Sequence, residues 1–269
     1  FLKQENGALF SKIVTQITLP ALIFSALSHS TIEWQYLLLF LIMLGSEIVL
    51  LLIAWGAGIL LGLTRSQMGS FLLVSAFGSS ALLGYAIIAE LFPDNSNVIA
   101  EAAFVSELGV GLPLFTIGVM TAIYYGSSAK KDINVLGEAL LFFKSPIFIS
   151  IAAGMVWSLL ALPTKGVIVT PLFDALHIVS KANTFLVALT VGVLLQFGSF
   201  RNILWMALAV VVIKLLLAPV LVYIPASFLT LENWQMQVLI LEASMPSAML
   251  SVVLAKRYGC DAGLAACLL

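Results

Sequence analysis

Two stretches of this 269-residue chain decide how it folds: Phe77-Gly78-Ser79-Ser80-Ala81 and Ser244-Met245-Pro246-Ser247-Ala248. Each lies near the midpoint of a charge-poor segment, 66–92 or 233–255, long enough to cross a bilayer's hydrocarbon core. Pro246 has no N–H and disfavours a helical residue before it, Gly78 and Gly84 weaken a helix, and Ser hydroxyls can satisfy freed carbonyls. Both segments are therefore expected to break near the bilayer midplane, with a new half-helix starting at Ser80-Ala81 and at Ser247-Ala248. Such starts carry partial positive charge and suit an anion, while unwound carbonyls suit a cation. Taken singly, each break also fits a plain kink; their coincidence at matching places favours the paired site.

Composition explains why these are membrane segments. The chain is 62% hydrophobic and 9% charged, with a mean hydropathy of +1.14, which excludes an ordinary soluble globule. Charge-poor stretches at 13–32, 35–62, 66–92, 98–125, 135–162, 168–199, 202–230 and 233–255 read as spans, and 262–269 as the beginning of another. The first half of 168–199 carries Asp174, His177 and Lys181, so a short interfacial helix is expected there, with the crossing starting near Ala182. The alternation of a transmembrane barrel is absent, so the fold class is an all-α polytopic membrane protein. A net charge of −1 with no basic cluster beyond Lys130-Lys131 and Lys256-Arg257 gives no footprint for nucleic acid. The chain opens at Phe1 and closes inside an apolar run, which reads as a fragment, and no signal peptide is visible.

When successive loops are assigned to alternate sides, Lys3, Lys12, Arg65, Lys130, Lys131, Arg201, Lys256 and Arg257 fall together and only Lys165 falls opposite. The positive-inside rule makes the first side cytoplasmic, with loop 127–132 inside and loop 93–97 outside. Sliding the chain over itself by 167 residues pairs spans 13–32, 35–62 and 66–92 with three later ones. It also aligns identical residues such as Leu50 with Leu217, Ala76 with Ala243 and Ser80 with Ser247. The paired spans run in opposite directions. This implies an inverted repeat of five plus five helices, a device of secondary transporters, with one span before Phe1 and the last completed after Leu269.

Ionisable residues inside spans are functional hypotheses by default. Glu47, Glu107, Lys214 and Glu242 are the deepest. Glu47 and Lys214 are themselves 167 apart, so an ion pair is expected; holding helices together and coupling transport are equally good readings of it. Glu242, four residues before Pro246, is the better candidate for touching the site, and Glu107 would face it too. Lys144 and Lys181 read as snorkelling or structural, and Glu90, Glu101 and Glu138 as interfacial. Trp34, Tyr36, Tyr124 and Trp234 read as interfacial anchors. His29 and His177 lack metal-ligand companions at helical spacing, and hydrolase signatures are missing, so no metal, cofactor or catalytic residue is expected. Cys260 and Cys267 form neither a disulfide framework nor a metal pair.

The residues Leu19-Pro20-Ala21-Leu22-Ile23-Phe24, the stretch from Gly78 to Gly84, and Glu242-Ala243-Ser244-Met245-Pro246-Ser247-Ala248 with Leu254-Ala255-Lys256-Arg257-Tyr258-Gly259 resemble the auxin efflux carrier family, bacterial members included. The resemblance implies a single membrane transporter domain with two crossed broken helices and an elevator-type motion. Carried onto this chain, helices 35–62, 66–92, 98–125, 202–230, 233–255 and 262–269 would move against scaffold helices 13–32, 135–162 and 168–199. It implies an organic anion as substrate, held by Gly78, Ser79, Ser80, Ala81, Met245, Pro246, Ser247 and Ala248, in a bacterial cytoplasmic membrane. A coupling proton or sodium ion, contact with lipid and a homodimer through the scaffold helices are the partners such an architecture allows. Gly84-Tyr85-Ala86 stands where many members have Gly-x-Pro, and Ser79 where Asn is frequent; the long loop of some plant carriers is reduced to about nine residues around Lys130, which argues against auxin itself. A sodium-coupled symporter of the bile-acid type and an anion channel are the alternatives.

Overall fold

A computed structural model describes residues 4–30, 33–93, 95, 97–126, 137, 140, 142–194 and 203–269. The expectations for Lys3, Lys130, Lys131, Glu138, Arg201 and the 127–132 loop lie outside them. The described residues are mostly helical and form no strand beyond an isolated bridge, and five helices are long and apolar enough to cross a membrane.

Helix α1 runs over 4–29, with α-helical parts Gln4–Ile13 and Leu19–His29 joined by a wider π-type turn, Val14–Thr18. Then come α2 (Gln35–Leu60), α3 (Arg65–Ala76), α4 (Ser80–Leu91), α5 (Asn97–Tyr125), α6 (Pro146–Leu159) and α7 (Val169–Leu194). The series ends with α8 (Leu204–Ala226), α9 (Asn233–Ala243), α10 (Met249–Tyr258) and α11 (Ala262–Leu268).

Local chemistry sets the ends. Thr64 with Gln67, and Glu232 with Gln235, form capping boxes that start α3 and α9. Ser145 and Asp261 accept backbone N–H bonds at the starts of α6 and α11. Gly259, at φ 81°, stops α10 in a conformation that only glycine adopts freely. Three of the π-type turns in the long helices share a sequence feature that the fourth, Leu114–Gly118, lacks. Val14–Thr18, Phe104–Gly111 and Val212–Leu217 are each followed two residues later by a proline, Pro20, Pro113 or Pro219. A proline ring inside a helix clashes with the carbonyl four residues back, which in each case lies in the widened turn.

Two expectations are corrected. Residues 169–194 form one continuous helix rather than an interfacial helix followed by a crossing. Asp174, His177 and Lys181 are exposed on one face, while Phe173, Ser180, Val187 and Thr190 are buried on the other, and no proline after Pro171 interrupts the chain. Tyr36 is fully buried rather than an interfacial anchor, tilted against Phe104 with ring centroids 5.5 Å apart, whereas Trp34 and Tyr124 are exposed.

Packing separates into two apolar clusters. One joins α2, α3, the middle and end of α5, α8, α9, α10 and α11 through residues such as Met43, Phe71, Phe77, Ile213 and Leu254. The other joins α1, α6 and α7 with α4 and the start of α5, through Leu19, Ile23, Tyr85, Ile88, Ile151 and Val187, and also takes in Tyr36 of α2 and Val238 of α9. Thr18 in the π-turn of α1 donates to Asn183 of α7 at 2.9 Å, tying those helices together. Exposed apolar side chains such as Leu41, Leu52, Leu215, Leu216 and Ile224 on α2 and α8 present surface suited to lipid rather than water.

Candidate functional site

Spans 66–92 and 233–255 are both interrupted, and the interruptions cross. Phe77 and Ala248 are extended, and Gly78 faces Ser247 in an isolated antiparallel bridge. Ser79 N–H donates to the Pro246 carbonyl at 2.6 Å, and Ala248 N–H donates to the Phe77 carbonyl at 2.9 Å. Pro246 could not have donated in the reverse direction, so its lack of an N–H fixes which way the first bond runs. Ser79 and Pro246 are also 167 residues apart, the same offset that superposes the spans.

The bridge alters the expected anion cradle in two respects. Ala248 N–H is committed to Phe77, and the second half-helix starts at Met249, after an extended Ala248, rather than at Ser247. The first begins at Ser80 as expected. Ser79, Ser80 and Ser247 are all buried beside the crossing, and Met245 and Ala248 are buried with them. Ala81 is only half-buried, and Pro246 is exposed.

The chain end of α3 is capped from elsewhere. Lys214 Nζ donates to the Ala76 carbonyl at 2.8 Å, and Ser251 Oγ donates to the Leu73 carbonyl at 2.9 Å. Lys214 thus satisfies a carbonyl at the end of the helix, Ser251 shares the Leu73 carbonyl with the Phe77 N–H, and a cation suits the negative end of the helix dipole. Lys214 also lies 3.4 Å from Glu47 Oε1, and each residue is 1% exposed. The backbone at Gly78 is crowded: a Cβ there would stand 3.0 Å from Lys214 Cε and 3.3 Å from the Met245 carbonyl, and those neighbours would have to shift. The lysine thus stands beside the first break, a position that its sequence offset did not reveal.

On the far side of α4 the crowding repeats with acid. A Cβ at Gly84 would stand 2.6 Å from both carboxylate oxygens of Glu242. Glu107, in the π-turn of α5, accepts from Tyr85 OH at 3.2 Å, and Ser106 Oγ donates to Ser80 Oγ at 2.8 Å. Tyr85, Ser106 and Ser251 had no sequence signal beyond being polar groups inside spans. Glu101, read as interfacial, is fully buried, and neither of its oxygens has a hydrogen-bond partner in the described structure. Glu90, Lys144 and Lys181 are exposed.

Over residues 1–269 the sequence matches the family described as Membrane transport protein. The chain belongs to this family, that of the auxin efflux carriers. Among the relatives of this family member is an uncharacterized transporter of Methanocaldococcus jannaschii, 24% identical over 280 residues, covering 97% of this chain and 83% of the relative. Another, an uncharacterized transporter of Methanothermobacter thermautotrophicus, is 26% identical over 265 residues, covering 98% of this chain and 83% of the relative. Family membership together with the apolar helices makes this an integral membrane protein, and points to transport rather than enzymatic catalysis.

Proposed function

We propose that this family member is a secondary transporter for a small organic anion that works by elevator-type alternating access. The observation that carries the reading is the antiparallel bridge between the two breaks, from which two half-helices depart at the level of Ser80 and Met249. Two helix N-termini near one point, with Ser79, Ser80 and Ser247 as hydroxyl donors, favour a carboxylate without supplying a fixed positive charge that would hold it too long. Lys214 lies close by, and its charge is matched by Glu47.

The coincidence of the 167-residue offset with the Ser79–Pro246 hydrogen bond supports the inverted repeat, since a two-fold axis relating the halves would pass through this pair. The two apolar clusters support the proposed division into a moving unit and a scaffold of α1, α6 and α7, with α4 and the start of α5 as the sliding surface. Basic loops on the cytoplasmic side complete the orientation.

The test is flux of a carboxylate in proteoliposomes carrying the full-length protein. Saturable uptake by the wild type, abolished by Ser247→Asp and retained in Ser227→Asp at an exposed loop position, is the expected result. Carboxylate flux that survives Ser247→Asp, or flux of cations alone, refutes the site.

A further inference from the structure

The ionisable groups beneath the crossing do not balance. Lys214 of α8 is engaged by Glu47 of α2 and by the Ala76 carbonyl. Glu107 of α5 has the Tyr85 hydroxyl of α4. Glu242 of α9 is 0% exposed, and neither Oε1 nor Oε2 has a hydrogen-bond partner among the described residues. Its carboxyl lies against the bare Cα of Gly84, one turn beyond Ser80, and Glu107, Tyr85 and Lys214 are the ionisable groups that act on it from the neighbouring elements.

Three features oppose a negative charge on Glu242. It is the penultimate residue of α9, where the helix dipole presents its negative end. Glu107 is a second carboxyl in the same enclosure. Lys214, whose charge would offset it, is held by Glu47 at 3.4 Å. A buried carboxylate without donors is too costly to persist and neutralises instead. The neutralising particle has to be small. Hard cations take several oxygen ligands, whereas a proton needs a single carboxylate oxygen.

We propose that Glu242, backed by Glu107, carries a proton that is co-transported with the organic anion. This rests on the organic-anion reading of the crossing. In the outward-facing state a proton from external water adds to a Glu242 carboxylate oxygen and forms an O–H bond. The neutral acid no longer repels an anion arriving at Ser80 and Ser247. In the inward-facing state the O–H bond breaks, the electron pair stays on the carboxylate and the proton passes to cytoplasmic water. The returned negative charge then helps to expel the anion. Binding of each particle favours the other, which is the reciprocity that symport requires.

Two measurements on the purified full-length protein test this. Infrared difference spectra of wild type against Glu242→Gln in lipid at neutral pH should show a protonated-carboxyl C=O stretch, shifted in D2O, that the variant lacks. The melting temperature of the variant should match the wild type, because amide and carboxylic acid are neutral and of similar shape. A carboxylate band in place of the acid band overturns the proposal without touching the anion site. In sodium-free proteoliposomes with the membrane potential clamped at zero, an inward gradient of one pH unit should concentrate radiolabelled malonate by up to about tenfold. Glu242→Gln should lose that accumulation. Accumulation that needs sodium, or that persists in Glu242→Gln, overturns the proton assignment while carboxylate transport stands. Absence of malonate flux together with the missing acid band overturns both.

Discussion

Removing either partner of the Glu47–Lys214 pair should hurt far more than removing both. The groups stand 3.4 Å apart with each residue 1% exposed. At an effective dielectric constant of 20 their attraction is about 5 kcal/mol, offset by the loss of both hydration shells. The two single changes are not equivalent. Lys214→Met strands Glu47, whose Oε2 already has no hydrogen-bond partner, and also takes the donor from the Ala76 carbonyl. Glu47→Gln leaves Lys214 bonded to that carbonyl. Each single change should cost roughly 3–5 kcal/mol, with Lys214→Met at the upper end. The double variant loses only the Ala76 bond and some packing, on the order of 1–2 kcal/mol. At about 2 °C per kcal/mol for a chain of this size, the singles should melt roughly 6–10 °C below the wild type and the double about 2–4 °C below. The assay is thermal unfolding of the four proteins in one detergent. A double variant whose loss equals the sum of the singles refutes the pair as an energetic unit.

Gly84→Ala should impair transport, because its Cβ would stand 2.6 Å from both Glu242 oxygens and displace that side chain; a variant that carries substrate normally would show the contact to be incidental. Ser106→Ala should lower melting by a few degrees, through loss of its 2.8 Å bond to buried Ser80, as read by the same thermal scan. Membrane-impermeant maleimide added to intact cells should modify a cysteine placed at Asn95 and spare one at Lys256 if the basic loops are cytoplasmic. Of the native thiols, buried Cys260 should stay silent near neutral pH, because burial pushes its thiol up to about 11.

What the sequence revealed was what local chemistry dictates. Pro246 and Gly78 weaken a helix and sit at matching points of two spans, so the two interruptions were legible to within a residue or two. Glu47 and Lys214 were legible as a pair because offset arithmetic places them at matching points of matching helices. The contacts that depend on which helix face turns inward were not legible. Tyr36 looks like every interfacial tyrosine until packing against Phe104 of α5 buries it, and Tyr85 is just one polar group inside a span until the fold sets it beside Glu107. The three polar residues of α7 suggested a surface helix because charge in a span is costly. A span with one polar stripe and one buried stripe remains a single helix when nothing breaks its backbone.

On the inverted-repeat reading, the two halves differ at one pair of charges. A strict repeat would place like charges at 47 and 214, and they would repel across the centre. Opposite charges bind α2 to α8 instead, and the lysine goes on to cap α3 at Ala76. The corresponding carbonyl end, that of α9, receives no such cation within the described contacts and carries Glu242 in its last turn. The end of α3 therefore has a cation against it, while the end of α9 has a buried carboxyl without a hydrogen-bond partner among the described residues. Two breaks alone would make a symmetric crossing with no preference for a charge-carrying partner. On the inverted-repeat reading, opposite charges at 47 and 214 satisfy each other and leave the carboxyl lying against Gly84 unmatched, which is why the proposed proton is placed there.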